Sequence, residues 1–172
     1  MYERLMELDR HISKVVRHRM PDGAVPAVKA VTELGGTPLV ATVGTIVAVA
    51  ASARDRSMRP ALRMLLVVGG QNLVYNGAKK LFGRDRPDGP YRAPWTGSSF
   101  PSGHTATAAS AWSEMAAIAV PQSAAARGLA KAAGPVVGAT RVLLGVHWFT
   151  DVIAGLLLGW GWRDLVLRVL SN

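Results

Sequence analysis

Charge in this chain is bunched, and the bunches bound long uncharged stretches. From Leu34 to Ala53 twenty residues pass without an ionisable side chain, Gly and Thr among Val and Ala. A helix needs roughly 20 residues, at about 1.5 Å each, to cross the hydrocarbon core of a bilayer. Shorter stretches follow. Met64 to Ala78 carries Gln71, Asn72 and Asn76, and Thr105 to Ala126 holds one acid, Glu114. Arg127 to Thr140 is interrupted by Lys131, and Val142 to Trp162 contains His147 and Asp151. Only the first stretch meets the spanning criterion unaided; the others read equally well as buried helices of a soluble bundle.

Three details favour the membrane. Small residues are dense inside the stretches, as in Gly155-Leu-Leu-Leu-Gly159, where they permit close helix contact in lipid. Trp148, Trp160 and Trp162 lie near the ends of the last stretch, as interfacial aromatics do. The basic clusters Arg54 to Arg63 and Lys79 to Arg92 sit between stretches, where long cationic side chains reach head groups. Against this, the mean hydropathy of +0.21 is modest. With 49% hydrophobic and 18% charged residues the chain is too apolar for intrinsic disorder. The absence of Cys excludes disulfides, Cys-based zinc sites and thiol nucleophiles. A net charge of +9 suits phosphate-bearing partners. Nucleic acid is not among them, because the cations flank apolar runs and do not line one face with stacking aromatics.

The N-terminal segment differs in kind. Leu5, Leu8, Ile12, Val15 and Val16 recur at helical spacing, with Arg4, Glu7, Arg10, Lys14 and Arg17 between them. This pattern predicts a basic amphipathic helix lying in the membrane surface, ended by Pro21-Asp-Gly. No secretory signal pattern precedes it. The expected fold is therefore all-α, an integral-membrane helical bundle of about five spanning helices preceded by an amphipathic interfacial helix. The chain reads as a single domain over residues 1–172, with the amphipathic helix in 1–20 and the bundle in 34–170.

Four places hold polar residues that an apolar chain has little reason to keep. Lys79 and Arg86-Pro87 close the second stretch, and Pro101-Ser102-Gly103-His104 opens the third. Arg141 closes the fourth, and His147 and Asp151 lie within the fifth. On a helix, residues four apart share a face. The Asp151 carboxylate could then hold Nδ1–H of His147 and leave Nε2 free as a base or nucleophile. Ser102 and Gly103 open a helix whose first amides would bind an anion, with His104 positioned to donate a proton. Guanidinium forks and an ammonium bind phosphate oxygens by charge-assisted hydrogen bonds. Lys80, Arg84 and Arg92 read as membrane-flanking cations.

Together, Lys79-x6-Arg86-Pro87, Pro101-Ser-Gly-His104 and Thr140-Arg141-x5-His147-x3-Asp151 resemble the three-part signature of the type 2 phosphatidic acid phosphatase superfamily. That family includes lipid phosphate phosphatases and vanadium haloperoxidases. The motifs span Lys79 to Asp151. Thr140 stands where the family commonly has Ser, which keeps a hydroxyl. The N-terminal third departs more, since six-span members have a further spanning helix before the Leu34 to Ala53 stretch. The resemblance implies His147 as nucleophile through a phosphohistidine, Asp151 as its orienting partner and His104 as general acid. Lys79, Arg86 and Arg141, with Ser102 and the Gly103 amide, would clamp the phosphate, with no metal and no cofactor.

The expected function is phosphomonoester or pyrophosphate hydrolysis on a membrane lipid, with membrane lipids as the surrounding partners. A small bacterial member of such a family suggests a polyprenyl-linked substrate such as decaprenyl-phosphoryl 5-phosphoribose. Phosphatidate, phosphatidylglycerol phosphate and polyprenyl diphosphate are the alternatives. Haloperoxidase activity fits poorly, because the family's haloperoxidases are larger and soluble, and a non-catalytic scaffold leaves the motifs unexplained. The sequence does not set an oligomeric state. The motif-bearing ends must share one membrane face, together with Arg4, Arg10, Lys14, Arg17, Arg19, Lys29, Lys80, Arg84 and Arg92. Opposite them fall Arg54, Arg56, Arg59, Arg63, Arg127, Lys131, Arg163 and Arg168. The tally nearly ties, so the untranslocated basic tail decides, and the site is expected to face the cytoplasm.

Overall fold

The computed structural model describes residues 2–171, and these form helices joined by turns, with no strand among them. Two helices come first, α1 (Tyr2–Arg19) and α2 (Val25–Thr32). Long rods follow: α3 (Thr37–Asp55), then α4 (Arg59–Met64) running through a π-helical turn at Leu65–Gly69 into α5 (Gly70–Phe82). The last three are α6 (Gly103–Ala119), α7 (Ala124–Leu143) and α8 (Phe149–Ser171).

Helix α6 is the axis, packed against α3, α5, α7 and α8. Glycines set how closely its neighbours approach. A Cβ at Gly159 would lie 2.4 Å from the Ala106 carbonyl, and one at Gly155 2.7 Å from that of Ser102. At Gly134 it would meet the Ala109 Cβ at 2.8 Å. These are the backbone approaches that small residues allow between helices in lipid. On α3 the inward stripe Val40, Gly44, Ala48 and Ala51 packs on Met64 and Met115. The π-helical turn frees carbonyls from the usual ladder, and Trp162 Nε1 donates to that of Leu66 at 3.0 Å.

Polarity runs opposite to that of a soluble bundle. Gln71, Thr105, Thr107, Ser110, Ser113 and Glu114 are buried, while Ile46, Leu73 and Leu157 are 63%, 77% and 68% exposed. Large apolar side chains exposed on α3, α5 and α8 in this way suit contact with lipid. By length and composition α3 is the one helix among the described residues apolar enough to cross a membrane. Glu114 is closed off by Arg63 at 2.7 Å and Arg163 at 3.0 Å, which ties α4, α6 and α8 together. At that end Arg54 also donates to the carbonyls of Ile118 and Ala119. The opposite end gathers the starts of α3, α6 and α8 with the ends of α5 and α7, and there the motif residues meet.

Two boundaries differ from the sequence expectation. The stretch Thr105 to Ala126 breaks after Ala119, where Ser123 Oγ accepts from Ala126 N at 3.1 Å and caps α7. The stretch beginning at Val142 breaks at residues 144–148, where Gly145 has φ 74° and its missing Cβ leaves room for Arg17 and the Pro90 carbonyl. His147 therefore lies in a turn ahead of α8 and not on its helical face. Helix α1 packs against α7 and α8 with Asp9 and Ser13 buried, while Leu5 and Leu8 stay exposed as an interfacial helix requires. Its protein-facing side is thus the polar flank of the apolar stripe.

Candidate active site

Lys79 sits in the last turn of α5, which ends at Gly83 with φ 55°. The chain then turns away from the helix and carries Arg84 and Arg86 across the end of the bundle. Arg86 is held by backbone carbonyls, those of Thr96 at 2.9 Å, Gly97 at 3.1 Å, Ser98 at 3.1 Å and Val146 at 2.5 Å. Its guanidinium carbon lies 4.9 Å from the Trp95 ring centre. The Lys79 ammonium donates to the same Ser98 carbonyl. One loop thus fixes two cations side by side against their mutual repulsion.

Gly103 and His104 open α6, with Ser102 as the residue before it. A Cβ at Gly103 would meet the Tyr75 ring at 3.0 Å, and one at Gly35 would lie 2.4 Å from the His104 carbonyl. The link between α2 and α3 therefore packs directly on the backbone of His104. Ser102 N donates to the Asp151 carbonyl at 3.1 Å, which joins the starts of α6 and α8. Its hydroxyl is fully buried and shares a 2.8 Å hydrogen bond with Thr105 Oγ1.

Asp151 lies in the first turn of α8, and its Oδ2 accepts from Trp148 N at 2.9 Å, reaching back over the helix start. The same oxygen accepts from His147 Nδ1 at 3.4 Å. With Nδ1–H so engaged, Nε2 carries the free lone pair, 3.5 Å from Arg86 Nη1. Burial, aided by Arg141 and Arg86 and opposed by Asp151, pushes the His147 imidazole down to about 4, so the ring is neutral at ordinary pH. Arg141, in the last turn of α7, is 4% exposed and donates to Thr32 Oγ1 at 3.2 Å, and its Nε is buried without a partner.

These groups surround a cavity of about 320 Å³. Its wall includes Lys79, Arg86, Gly103, His104, Arg141 and His147, with Gly35, Thr37, Tyr75, Asn76, Pro94, Trp95, Thr96 and Thr107 around them. Of the residues singled out from sequence, Asp151 and Ser102 are off the wall, Asp151 behind His147 and Ser102 turned to Thr105. Among the described residues Lys79, Arg86 and Arg141 have no carboxylate partner, whereas Arg63, Arg84 and Arg163 do. Nor do three His, Asp or Glu side chains gather among the described residues as a metal site requires. Uncompensated cations facing two imidazoles across a small cavity make a receptor for a compact, multiply charged anion.

Residues 60–172 match the PAP2 superfamily, the type 2 phosphatidic acid phosphatases. The chain belongs to this superfamily. Its PAP2 fold is also that of the transmembrane PAP2 type phosphatidylglycerolphosphate phosphatase from Bacillus subtilis. The two superpose with a TM-score of 0.89 at 26% identity, over 96% of this chain and 86% of that one. Aquifex aeolicus LpxE shares the fold with a TM-score of 0.76 at 19% identity, over 95% and 94% of the two chains. No curated protein matches the chain by sequence. The PAP2 fold here is all-α, an integral-membrane helical bundle.

Sequence reasoning missed several residues of this PAP2 site. Arg84 is no membrane-flanking cation, because it donates to Asp9 at 2.7 Å and Asp151 at 2.6 Å. Nor is Trp148 an interfacial aromatic: it is buried, donates from Nε1 to the Asp85 carbonyl at 2.9 Å and lies under Arg84. A signal for Asp9 was present, since a carboxylate borders the apolar stripe of α1 beside Leu5 and Val16. For Thr32, Tyr75 and Trp95 the sequence carries no such signal.

Proposed function

We propose that the chain is a membrane phosphatase that removes phosphate from a lipid by a metal-independent, two-step displacement at His147. The observation that carries this reading is the trio of carboxylate-free cations, Lys79, Arg86 and Arg141, around the cavity shared by His104 and His147. Nε2 of His147 attacks phosphorus, a P–N bond forms as the ester P–O bond breaks, and His104 donates its proton to the leaving oxygen. Water then attacks the phosphohistidine and gives a proton back to His104, and orthophosphate and free His147 result. Lys79, Arg86 and Arg141, with the Gly103 amide, stabilise the charge spread over the phosphoryl oxygens. Ser102 joins them by exchanging its Thr105 bond for a phosphate oxygen. The rods α3, α4–α5, α6, α7 and α8 are the five spans in this reading, with the ester at head-group level.

The favoured substrate is a polyprenyl-linked phosphosugar such as decaprenyl-phosphoryl 5-phosphoribose. Support comes from the cavity wall, where Thr37, Asn76 and Thr96 beside Tyr75 and Trp95 offer hydrogen bonds and ring faces suited to a sugar. A second reading, phosphatidylglycerol phosphate, is favoured by the similarity to the Bacillus subtilis enzyme. Phosphate release from purified decaprenyl-phosphoryl 5-phosphoribose, phosphatidylglycerol phosphate, phosphatidate and polyprenyl diphosphate ranks the candidates. Loss of release from all of them in His147→Ala is the expected result, and wild-type turnover in that variant would remove the nucleophile assignment.

The same reading puts the active-site end at the cytoplasmic face, where α1 with Arg4, Arg10 and Lys14 meets anionic lipid. Because the native chain has no Cys, single cysteines report the orientation. His11→Cys should resist an impermeant maleimide in intact cells while the exposed Met58→Cys labels. The reverse pattern overturns the orientation.

A further inference from the structure

The N-terminal helix carries a carboxylate that the phosphatase chemistry above does not use. Asp9 is fully buried although its helix lies at the edge of the bundle. Its Oδ1 accepts from Thr150 N at 3.0 Å, and its Oδ2 accepts from Arg84 Nη2 at 2.7 Å and from the Thr150 hydroxyl. The other arm of Arg84, Nη1, donates to Asp151 Oδ1 at 2.6 Å and to Thr150 Oγ1 at 2.7 Å. Asp151 Oδ2 is thereby left to Trp148 N and His147 Nδ1. An unbroken relay of carboxylate, guanidinium, carboxylate and imidazole runs from α1 to the cavity wall.

A guanidinium facing a lone carboxylate takes both of its oxygens, fork to fork. Were Arg84 to do so, it would draw Oδ2 away from His147 and free the imidazole to rotate or to move its proton to Nε2. Asp9 prevents this by engaging Nη2, which leaves one nitrogen of the fork for Asp151. It also fixes the start of α8 by binding Thr150 N, next to Asp151 in the chain. Docking α1 alone would not need such a group, because buried ion pairs are commonly replaced by apolar residues without loss of stability.

We propose that Asp9 is a positioning residue for His147, acting through Arg84 to keep the imidazole in its Nδ1–H form with Nε2 bare. This rests on His147 as the nucleophile, and the test separates the two. In the full-length protein in detergent, Asp9→Ala and Asp9→Asn should lower kcat by about 10- to 100-fold. The substrate is whichever of the four lipid phosphates above is turned over fastest, and KM should stay within about twofold, with kcat expressed per folded molecule. Asp9→Glu should recover part of the rate, and the exposed Glu7→Gln on the same helix should behave as wild type. Because the two residues act as one unit, Asp9→Ala combined with Arg84→Ala should be no slower than Arg84→Ala alone. Nitrogen-15 spectra of labelled histidine should show a single Nδ1–H tautomer for His147 in the wild type and a mixture in Asp9→Ala. An unchanged kcat and tautomer in both Asp9→Ala and Asp9→Asn, with only a lowered melting temperature, would overturn the proposal. If His147→Ala keeps turning over, the nucleophile reading fails instead, and the tautomer spectra still decide whether Asp9 positions the ring.

Discussion

Arg141→Met should make the protein more stable and almost inactive in one step. Arg141 is 4% exposed, its Nε is buried without a partner, and its hydrogen bond is to Thr32 Oγ1 at 3.2 Å. Removing such an ion from water costs several kcal/mol after relaxation, and an unmade buried hydrogen bond adds about 1–3 kcal/mol. Met fills nearly the same length without charge. Replacement of buried ions by apolar residues of similar volume is neutral or stabilising by about 1–4 kcal/mol. The Thr32 hydroxyl loses a donor worth about 1 kcal/mol, so the expected net change runs from a loss of about 1 to a gain of about 3 kcal/mol, weighted toward gain because Arg141 has no carboxylate partner to lose. Activity moves the other way, because removal of one preorganised donor costs about 100- to 1000-fold in kcat. Unfolding in detergent, with and without vanadate, and phosphate release measure both. Vanadate at about 100 times its dissociation constant should stabilise the wild type by about 2.7 kcal/mol by mass action and the variant by much less. A variant that melts well below the wild type without ligand would refute the reasoning, for Arg141 would then be a tie of the fold.

Three further outcomes follow from the same geometry. In His104→Ala, substrates with good leaving groups should still phosphorylate His147 slowly while poor ones do not, because acid assistance matters least for the former; an equal loss for both would count against the acid role. The His147 proton, followed by NMR in the free protein, should titrate near 4, as burial dictates. Its folded-state value lies below the ordinary 6.5, so the stability that the neutral ring contributes is complete above about 6.5 and lost as the pH falls toward 4; a midpoint at 6 or above would contradict the buried placement. Glu114→Ala, which leaves Arg63 unpaired and Arg163 with only the exposed Asp164 at the far end, should cost about 3–5 kcal/mol of stability, read from the melting temperature, while kcat per folded molecule stays near the wild-type value.

Much of the bundle was legible because charge and Pro punctuate it. Arg56 to Met58, Gly83 to Pro101 and Pro121 all fall between helices. The turn at residues 144–148 was not, since Val142-Leu-Leu-Gly-Val continues an apolar run and a buried turn has the composition of a buried helix. Gly145 alone marks it, through its φ of 74°. The charged and imidazole side chains of the cavity wall were all in the motifs, because phosphate chemistry demands Lys, Arg and His at fixed places. Its supports were hidden for a different reason. Asp9 meets Arg84 across 75 residues and Arg141 meets Thr32 across 109, and a single sequence carries no sign of such partners.

The arrangement of charge inside the bundle explains why two kinds of arginine occur in so apolar a chain. At the far end Glu114, with Asp164 beside it, neutralises Arg63 and Arg163, and that cluster is closed. Behind the cavity, Asp9 and Asp151 flank Arg84, and that cluster is closed as well. Lys79, Arg86 and Arg141 are left open among the described residues, held by carbonyls, a hydroxyl, the Trp95 ring and a long contact to His147 Nε2 but by no carboxylate. Closed clusters add rigidity and fix directions, which is what Asp151 needs in order to hold His147 still. Open cations add a field that falls on the cavity and rewards the ligand that completes them. A dianion satisfies that field better than any protein group nearby, and the field strengthens further where charge spreads over the phosphoryl oxygens. The same separation of closed and open charge puts the anion-seeking groups beside the free nitrogen of His147 and keeps the carboxylates, which would repel a phosphate, out of its reach.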